Sequence, residues 1–332
     1  MTTKDKEDIP RAKSKIGVLT PTTRRIINAT VDIQQTTSPQ TDYLHTVLCQ
    51  VGMPRRRTTN PIFERTNGTA SLKLESGELW NGTSWVRHPL PYGACPRLIM
   101  VHISSEAIRT RRRIIDVGNT TREFLTQLGI PSTGGRRGGY TTFKKQMQAL
   151  AACNLTLGYT RGNEAITIKT PPIEEFRAWI NAEENQSSLW PGVLKLSERF
   201  YETLVEHAVP LDPRALGALK HSALALDVYC WLAHRLCRIR DSKGLFLSWG
   251  NLINQFGQEY NDPMNFKNEF RKVLRQVRPA YPDAKLDVVR GGIRFYASSP
   301  PILKTQVVIE LPYKSEYIPW KDRTDLLDHK SS

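Results

Sequence analysis

The stretch from Asp262 to Arg278 constrains this chain more than any other. At about 3.6 residues per turn, Phe266, Phe270, Val273, Leu274 and Val277 fall within one narrow sector, which predicts a helix buried along one face. Asp262 followed by Pro263 marks its start: a carboxylate that accepts from the first free N–H groups, then a residue that has no N–H to satisfy. Beside the apolar sector run Lys267, Arg271, Arg275 and Arg278, and Asn268, Lys272 and Gln276 widen the polar face. Cations stacked at this spacing repel one another, and only Glu269 intervenes. A merely solvated basic face is the bland alternative. Against it stands the segment 285–298, which predicts a hairpin turning at Gly291-Gly292 and carrying Arg290 and Arg294. A B-DNA major groove, about 12 Å wide, admits such a helix, and Arg, Asn and Gln reach base edges there.

Charge over the whole chain agrees. The 332 residues carry 47 Lys and Arg against 32 Asp and Glu, a formal net charge of +15. That balance calls for a polyanion, either nucleic acid or an anionic membrane face. No apolar run approaches the roughly 18 residues of a spanning helix, and the opening MTTKDKEDIPRAKSK has no signal-peptide stretch. The apolar faces are needed for two cores, which leaves no broad face free to insert into lipid. Cys49, Cys95, Cys153, Cys230 and Cys237 show neither a Cys-x-x-Cys pair nor zinc-finger spacing. Cys230 and Cys237, seven apart and on one helix face, read as buried, reduced thiols, and point to a cytoplasmic protein.

The pattern around the 262–278 helix has an earlier counterpart. Residues 96–110 predict a helix, 112–117 a strand, and Thr120 with Glu123 a capping box that opens a helix ended by Gly129 and Pro131. A Gly- and Arg-rich turn follows, then a helix with Phe143, Met147, Leu150 and Ala151 at helical spacing. Residues 154–169 predict two strands around a turn at 161–163. The second half runs through helices at 196–207, 213–220, 222–240, 248–257 and 262–278 to the final hairpin. The expected architecture is therefore α+β: two tandem winged-helix domains with an N-terminal β-hairpin extension that turns at Asn67-Gly68. The boundaries read as a disordered tail 1–40, a first winged-helix domain 41–170, a linker 171–190, a second winged-helix domain 191–300 and a tail 301–332.

In the first domain the groove-facing residues are Thr141, Lys144, Lys145 and Gln148. Arg136 and Arg137 on the glycine-rich turn, and Arg161 in the hairpin, are placed for phosphate contact. From Arg97 to Lys169 there are twelve Lys or Arg and four acids. The turn Gly134–Gly139 lacks the Lys-Ser/Thr pair of a nucleotide-binding loop. The histidines form no metal pair, and a strand end and a helix cap account for Asp116 and Glu123. No catalytic residue, metal site or cofactor is expected. A DNA-cutting enzyme remains a rival because carboxylate sites hide well in sequence. A winged-helix transcriptional regulator or partition protein remains another.

These residues also resemble a known family. Leu90-Pro91-Tyr92-Gly93 with Pro96-Arg97-Leu98, then Glu106-Ala107-Ile108-Arg109-Thr110, Thr133-Gly134-Gly135, Leu196 to Tyr201, Pro210-Leu211-Asp212, and Leu219-Lys220-His221-Ser222 leading to Leu232 are similar to the plasmid-encoded RepA replication initiators. The similarity spans roughly residues 42–298. It implies a non-enzymatic initiator that binds repeated double-stranded sites (iterons) at an origin, helps to open adjacent A·T-rich DNA and recruits a host replicative helicase or initiator. Related initiators often form a homodimer through the first domain while repressing their own promoter. The resemblance supplies no catalytic residues.

Overall fold

The computed structural model describes residues 20–37, 40–116, 125, 139–179 and 190–303. Helix α1 (Pro21–Gln35) begins at Thr20, whose hydroxyl accepts from Thr23 N. This corrects the expectation of a disordered tail over 1–40, at least from residue 20 on. Ile26 is buried, Thr30 Oγ1 donates to the Pro279 carbonyl at 3.0 Å, and Arg214 donates to the Asp32 and Thr36 carbonyls at 2.9 Å each. Ile26 and Ile33, with long-range hydrogen bonds that include these and one between Arg25 and His221, tie the helix to the second half of the chain.

Strand β1 (Asp42–His45) leads into α2 (Thr46–Val51), which Gly52 ends with φ 69°. Strands β2 (Ile62–Asn67) and β3 (Ala70–Glu75) form the expected hairpin around Gly68, and β4 (Glu78–Trp80) pairs with β5 (Trp85–Arg87). Helix α3 (Ala94–Thr110) is buried on most sides, from Leu98 through Ala107. It gives way to β6 (Ile114–Asp116). Leu125 is helical and buried; the rest of the helix expected between Thr120 and Gly129 lies outside the described residues.

Helix α4 (Gly139–Ala152) buries Phe143, Met147, Leu150 and Ala151, the four read from helical spacing. Strands β7 (Asn154–Arg161) and β8 (Glu164–Thr170) follow it. The β2–β3 hairpin is no extension: β3 pairs with β7 over Ala70–Glu75, giving a four-stranded antiparallel sheet in the order β2-β3-β7-β8. Leu72, Leu74, Leu155 and Leu157 alternate onto its buried face, which fixes that register. The connector read at 171–190 instead supplies β9 (Ile173–Trp179), which pairs with β10 (Trp190–Leu196). Strand β6 pairs with β10 through Ile114–Asp116 and not with the β7–β8 hairpin. The first half thus departs from the sheet expected of a winged helix, because β10 satisfies the free edge of β6.

Helix α5 (Glu198–His207) starts at Ser197, and β11 (Ala208–Leu211) pairs antiparallel with β1. Next come α6 (Pro213–Leu219) and α7 (Ala223–Arg235), the latter ending in a short 3-10 turn at Leu236–Arg238. Cys230 is buried as expected, but Cys237 is exposed because that turn rotates it off the helix face. Strand β12 (Leu245–Ser248), α8 (Trp249–Phe256), α9 (Pro263–Ala280), β13 (Leu286–Val289) and β14 (Gly292–Phe295) complete the described chain, with the sheet order β12-β14-β13. One contiguous cluster of buried apolar residues runs from Leu44 to Phe295. The two halves share this core, with α2 and α3 packed on α7, where two separate cores were expected.

Candidate nucleic-acid interface

Helix α9 is built as its sequence dictates. The Asp262 carboxylate accepts from Met264 N and Asn265 N at 3.0 Å each, which satisfies two of the free N–H groups of the first turn. Phe266, Phe270 and Val277 are 0% exposed, and Phe270 meets Phe256 at 5.4 Å between ring centroids. This apolar anchor leaves the opposite face in solvent. Arg275 and Arg278 are exposed there and make no hydrogen bond or ion pair among the described residues; Asn268 is exposed as well.

The upper half of the cationic stripe is held differently. Lys267 Nζ lies 5.3 Å and the Arg271 guanidinium 5.4 Å from the ring centroid of Trp249, the first residue of α8. Both cations are half-buried, where full exposure of Arg271 was expected. A cation over an indole face is worth about 0.5–1 kcal/mol at a partly wet site. The larger consequence is geometric: the indole holds the two long side chains alongside the exposed face. Lys272 is exposed and paired with Glu269 at 2.7 Å, so part of its charge is neutralised locally.

The following hairpin turns at Arg290-Gly291, where Gly291 adopts φ 86°. Arg290 is exposed. Arg294 sits over Phe246 at 5.9 Å and donates to the Lys243 carbonyl at 2.9 Å, which draws it onto the sheet face. The cations of α9 and of this hairpin belong to contiguous elements of one small unit, and β12, unrecognised in the sequence, pairs with β14 to bring Phe246 beneath Arg294.

In the first half, Lys145 is exposed on α4, while Thr141, Lys144 and Gln148 are half-buried. Thr141 and Lys144 each have an interaction partner of their own, which qualifies the expectation that Lys144 is free. Arg136 and Arg137 lie outside the described residues, as does Glu123. Arg161 is the last residue of β7, with Glu164 as its Cα partner across the turn. The residues expected to read DNA therefore fall into two groups, α4 with the β7–β8 hairpin and α9 with the β13–β14 hairpin.

Several cations are turned inward instead. Arg97 donates to both carboxylate oxygens of Asp227, at 2.6 and 2.8 Å, and also to the carbonyls of Gly93, Pro54 and Met53. Arg55 pairs with Glu259 at 3.1 Å and donates to the Phe256 carbonyl; Arg65 reaches Glu259 at 3.7 Å and Gln258 at 2.7 Å. Burial, with Arg55 close by, lowers the Arg65 pKa to about 10. Arg55 belongs to the basic run 55–57 yet is unavailable to a polyanion. The sequence did hold a signal for this network: Asp227 is a lone acid in the apolar run ALALDVYCWLA, and a buried carboxylate requires a cation.

Residues 90–251 match the family model described as plasmid encoded RepA protein. This part of the chain is similar to the plasmid-encoded RepA family. The resemblance read from the sequence is thereby borne out over that range, which holds α3, α4, both members of the Arg97–Asp227 pair and the start of α8. Helix α9 and the β13–β14 hairpin lie beyond the matched RepA segment. A comparison with curated proteins finds no match. Among the described residues, no helix is long and apolar enough to cross a membrane, and no group of three or more His, Cys, Asp or Glu is gathered around a common point.

Proposed function

We propose that this chain is a plasmid replication initiator that binds repeated double-stranded sites at its origin. The carrying observation is the exposed face of α9, where Arg275, Arg278 and Asn268 stand in solvent beside the Arg290 hairpin while Trp249 holds Lys267 and Arg271 alongside. Helix, strand, two helices and a hairpin, with sheet order β12-β14-β13, support a winged helix in the second half, α9 entering the major groove and the hairpin lying on the adjacent backbone. The RepA match and the net charge of +15 support the plasmid-replication reading. Helix α4 and the β7–β8 hairpin form the second contact through Thr141, Lys144, Lys145, Gln148, Arg161 and the preceding Arg136 and Arg137. Two such units cover about two turns of duplex. Opening of A·T-rich DNA, recruitment of a host helicase or initiator, dimerisation and repression of its own promoter complete the reading. The protein acts by assembly in the cytoplasm, without catalysis.

Footprinting on the plasmid's own origin, paired with replication of an origin-bearing plasmid, tests this. Protection of repeats and replication, both weakened by Arg275→Ala and Arg278→Ala, are expected. Operator binding without support of replication would turn the reading to a transcriptional regulator or partition protein. Magnesium-dependent cutting of supercoiled DNA would turn it to an enzyme.

A further inference from the structure

The β4–β5 ribbon leaves two tryptophans in solvent: Trp80 is 52% exposed and Trp85 67%. Side chains of this size usually bury most of their area. The two are direct cross-strand partners with ring centroids 5.6 Å apart, on the outward face together with the Glu78–Arg87 pair. Leu79 and Val86 alternate to the other face, where Leu79 packs on the core and anchors the ribbon. Its tip is fixed: Asn81 Oδ1 accepts from Thr83 N at 2.9 Å and Ser84 N at 2.8 Å, and Asn81 N donates to the Ser84 carbonyl at 3.1 Å. Its base is fixed as well. His88 N donates to the Gly77 carbonyl at 3.0 Å, and a Cβ on Gly77 would fall 1.9 Å from the Ala152 carbonyl at the end of α4. The indoles thus stand on a rigid arm attached to the helix that carries Lys144 and Lys145.

We propose that Trp80 and Trp85 form a stacking platform for the bases of single-stranded nucleic acid. Every base has an aromatic face that stacks on an indole, but in a duplex those faces are covered by neighbouring pairs; only an unpaired strand offers them. Charge favours the same occupant. Arg87 is exposed on the ribbon, with Glu78 3.8 Å from it, Lys145 is exposed on α4, against which the ribbon packs, and the segment 97–169 has twelve cations to four acids. The proposal rests on the nucleic-acid reading above and adds to it a site for the unpaired strand.

The test titrates the full-length chain with a mixed-sequence single-stranded oligonucleotide and, separately, with origin duplex, reading intrinsic tryptophan fluorescence and anisotropy of the labelled DNA. Quenching by the single strand is expected, with affinity lowered about tenfold or more in the Trp80→Ala/Trp85→Ala double variant and largely kept in Trp85→Phe. Duplex affinity should stay unchanged, and the thermal midpoint should fall only by the small contribution of one cross-strand aromatic pair. Unaltered single-strand affinity in the double variant overturns the proposal and leaves the duplex reading intact. Loss of self-association in sedimentation velocity, in place of lost single-strand binding, also overturns it and assigns the pair to a second copy. A chain that binds neither form of DNA overturns both readings together.

Discussion

Arg97, on α3, and Asp227, on α7, meet through two hydrogen bonds of 2.6 and 2.8 Å in a site where both side chains are at most 7% exposed. They are 130 residues apart in sequence and tie the first half of the chain to the second. Arg55 approaches the same carboxylate at 3.9 Å. A buried ion pair gives little net stability against an apolar replacement, but removal of one member strands the other charge.

Asp227→Asn is therefore expected to destabilise the protein by about 3–5 kcal/mol, because it leaves Arg97 and Arg55 facing a neutral amide. Urea melts of wild type and variant measure it. A double-mutant cycle with Arg97→Met should show strong coupling, the double variant being more stable than the sum of the single losses. Additive losses would mean that the pair does not act as a unit.

Gly52 lies against the same carboxylate. It has φ 69°, and a Cβ there would come within 3.0 Å of three Asp227 side-chain atoms. Gly52→Ala should cost more than about 1 kcal/mol, from backbone strain and the displaced carboxylate together. A thermal midpoint equal to wild type would contradict this.

On α9, Arg275→Ala and Arg278→Ala should weaken duplex binding and each lower the magnitude of the log–log salt slope by about 1, with stability unaltered. Arg271→Ala and Lys144→Ala should weaken site binding as well without unfolding the chain. Trp249→Ala tests the support of the stripe: it should reduce affinity while every cation remains in place. Affinities measured across a salt series decide all of these.

Burial of His45 lowers its pKa from the ordinary 6.5 to about 3, with His207 adding a smaller push, and His234 falls to about 4 by burial and the nearby Arg238 and Arg235. Both are neutral in the fold at pH 5, whereas in the unfolded chain they take up protons below about 6.5. Their contribution to stability is thus complete above that pH and declines as the pH falls toward 4 and then 3, by at most about 1.4 kcal/mol per pH unit for each group. His45 Nδ1 accepts from Val47 N at 3.2 Å, so His45→Asn keeps a cap for α2 while removing the titration. Denaturant melts between pH 7 and 4 should show a flatter loss in the variant; an identical slope would contradict the assignment.

Local order was legible where side-chain spacing and chain chemistry agree. Asp262-Pro263 and Ser248 mark the starts of α9 and α8, Asn67-Gly68 the β2–β3 turn, and Phe143, Met147, Leu150 and Ala151 the buried face of α4, because caps, turns and helical faces depend on neighbours within a few residues. The RepA resemblance belonged to that same level. Pairings between distant strands did not: β6 joins β10, β3 joins β7 and β1 joins β11, each choice depending on which edge another segment already fills. The fate of individual charges was equally hidden. Arg55, Arg97 and Arg275 are alike in sequence, yet the first two meet carboxylates more than a hundred residues away and the third faces water, since only the folded chain decides which cation is close enough to an acid to be neutralised.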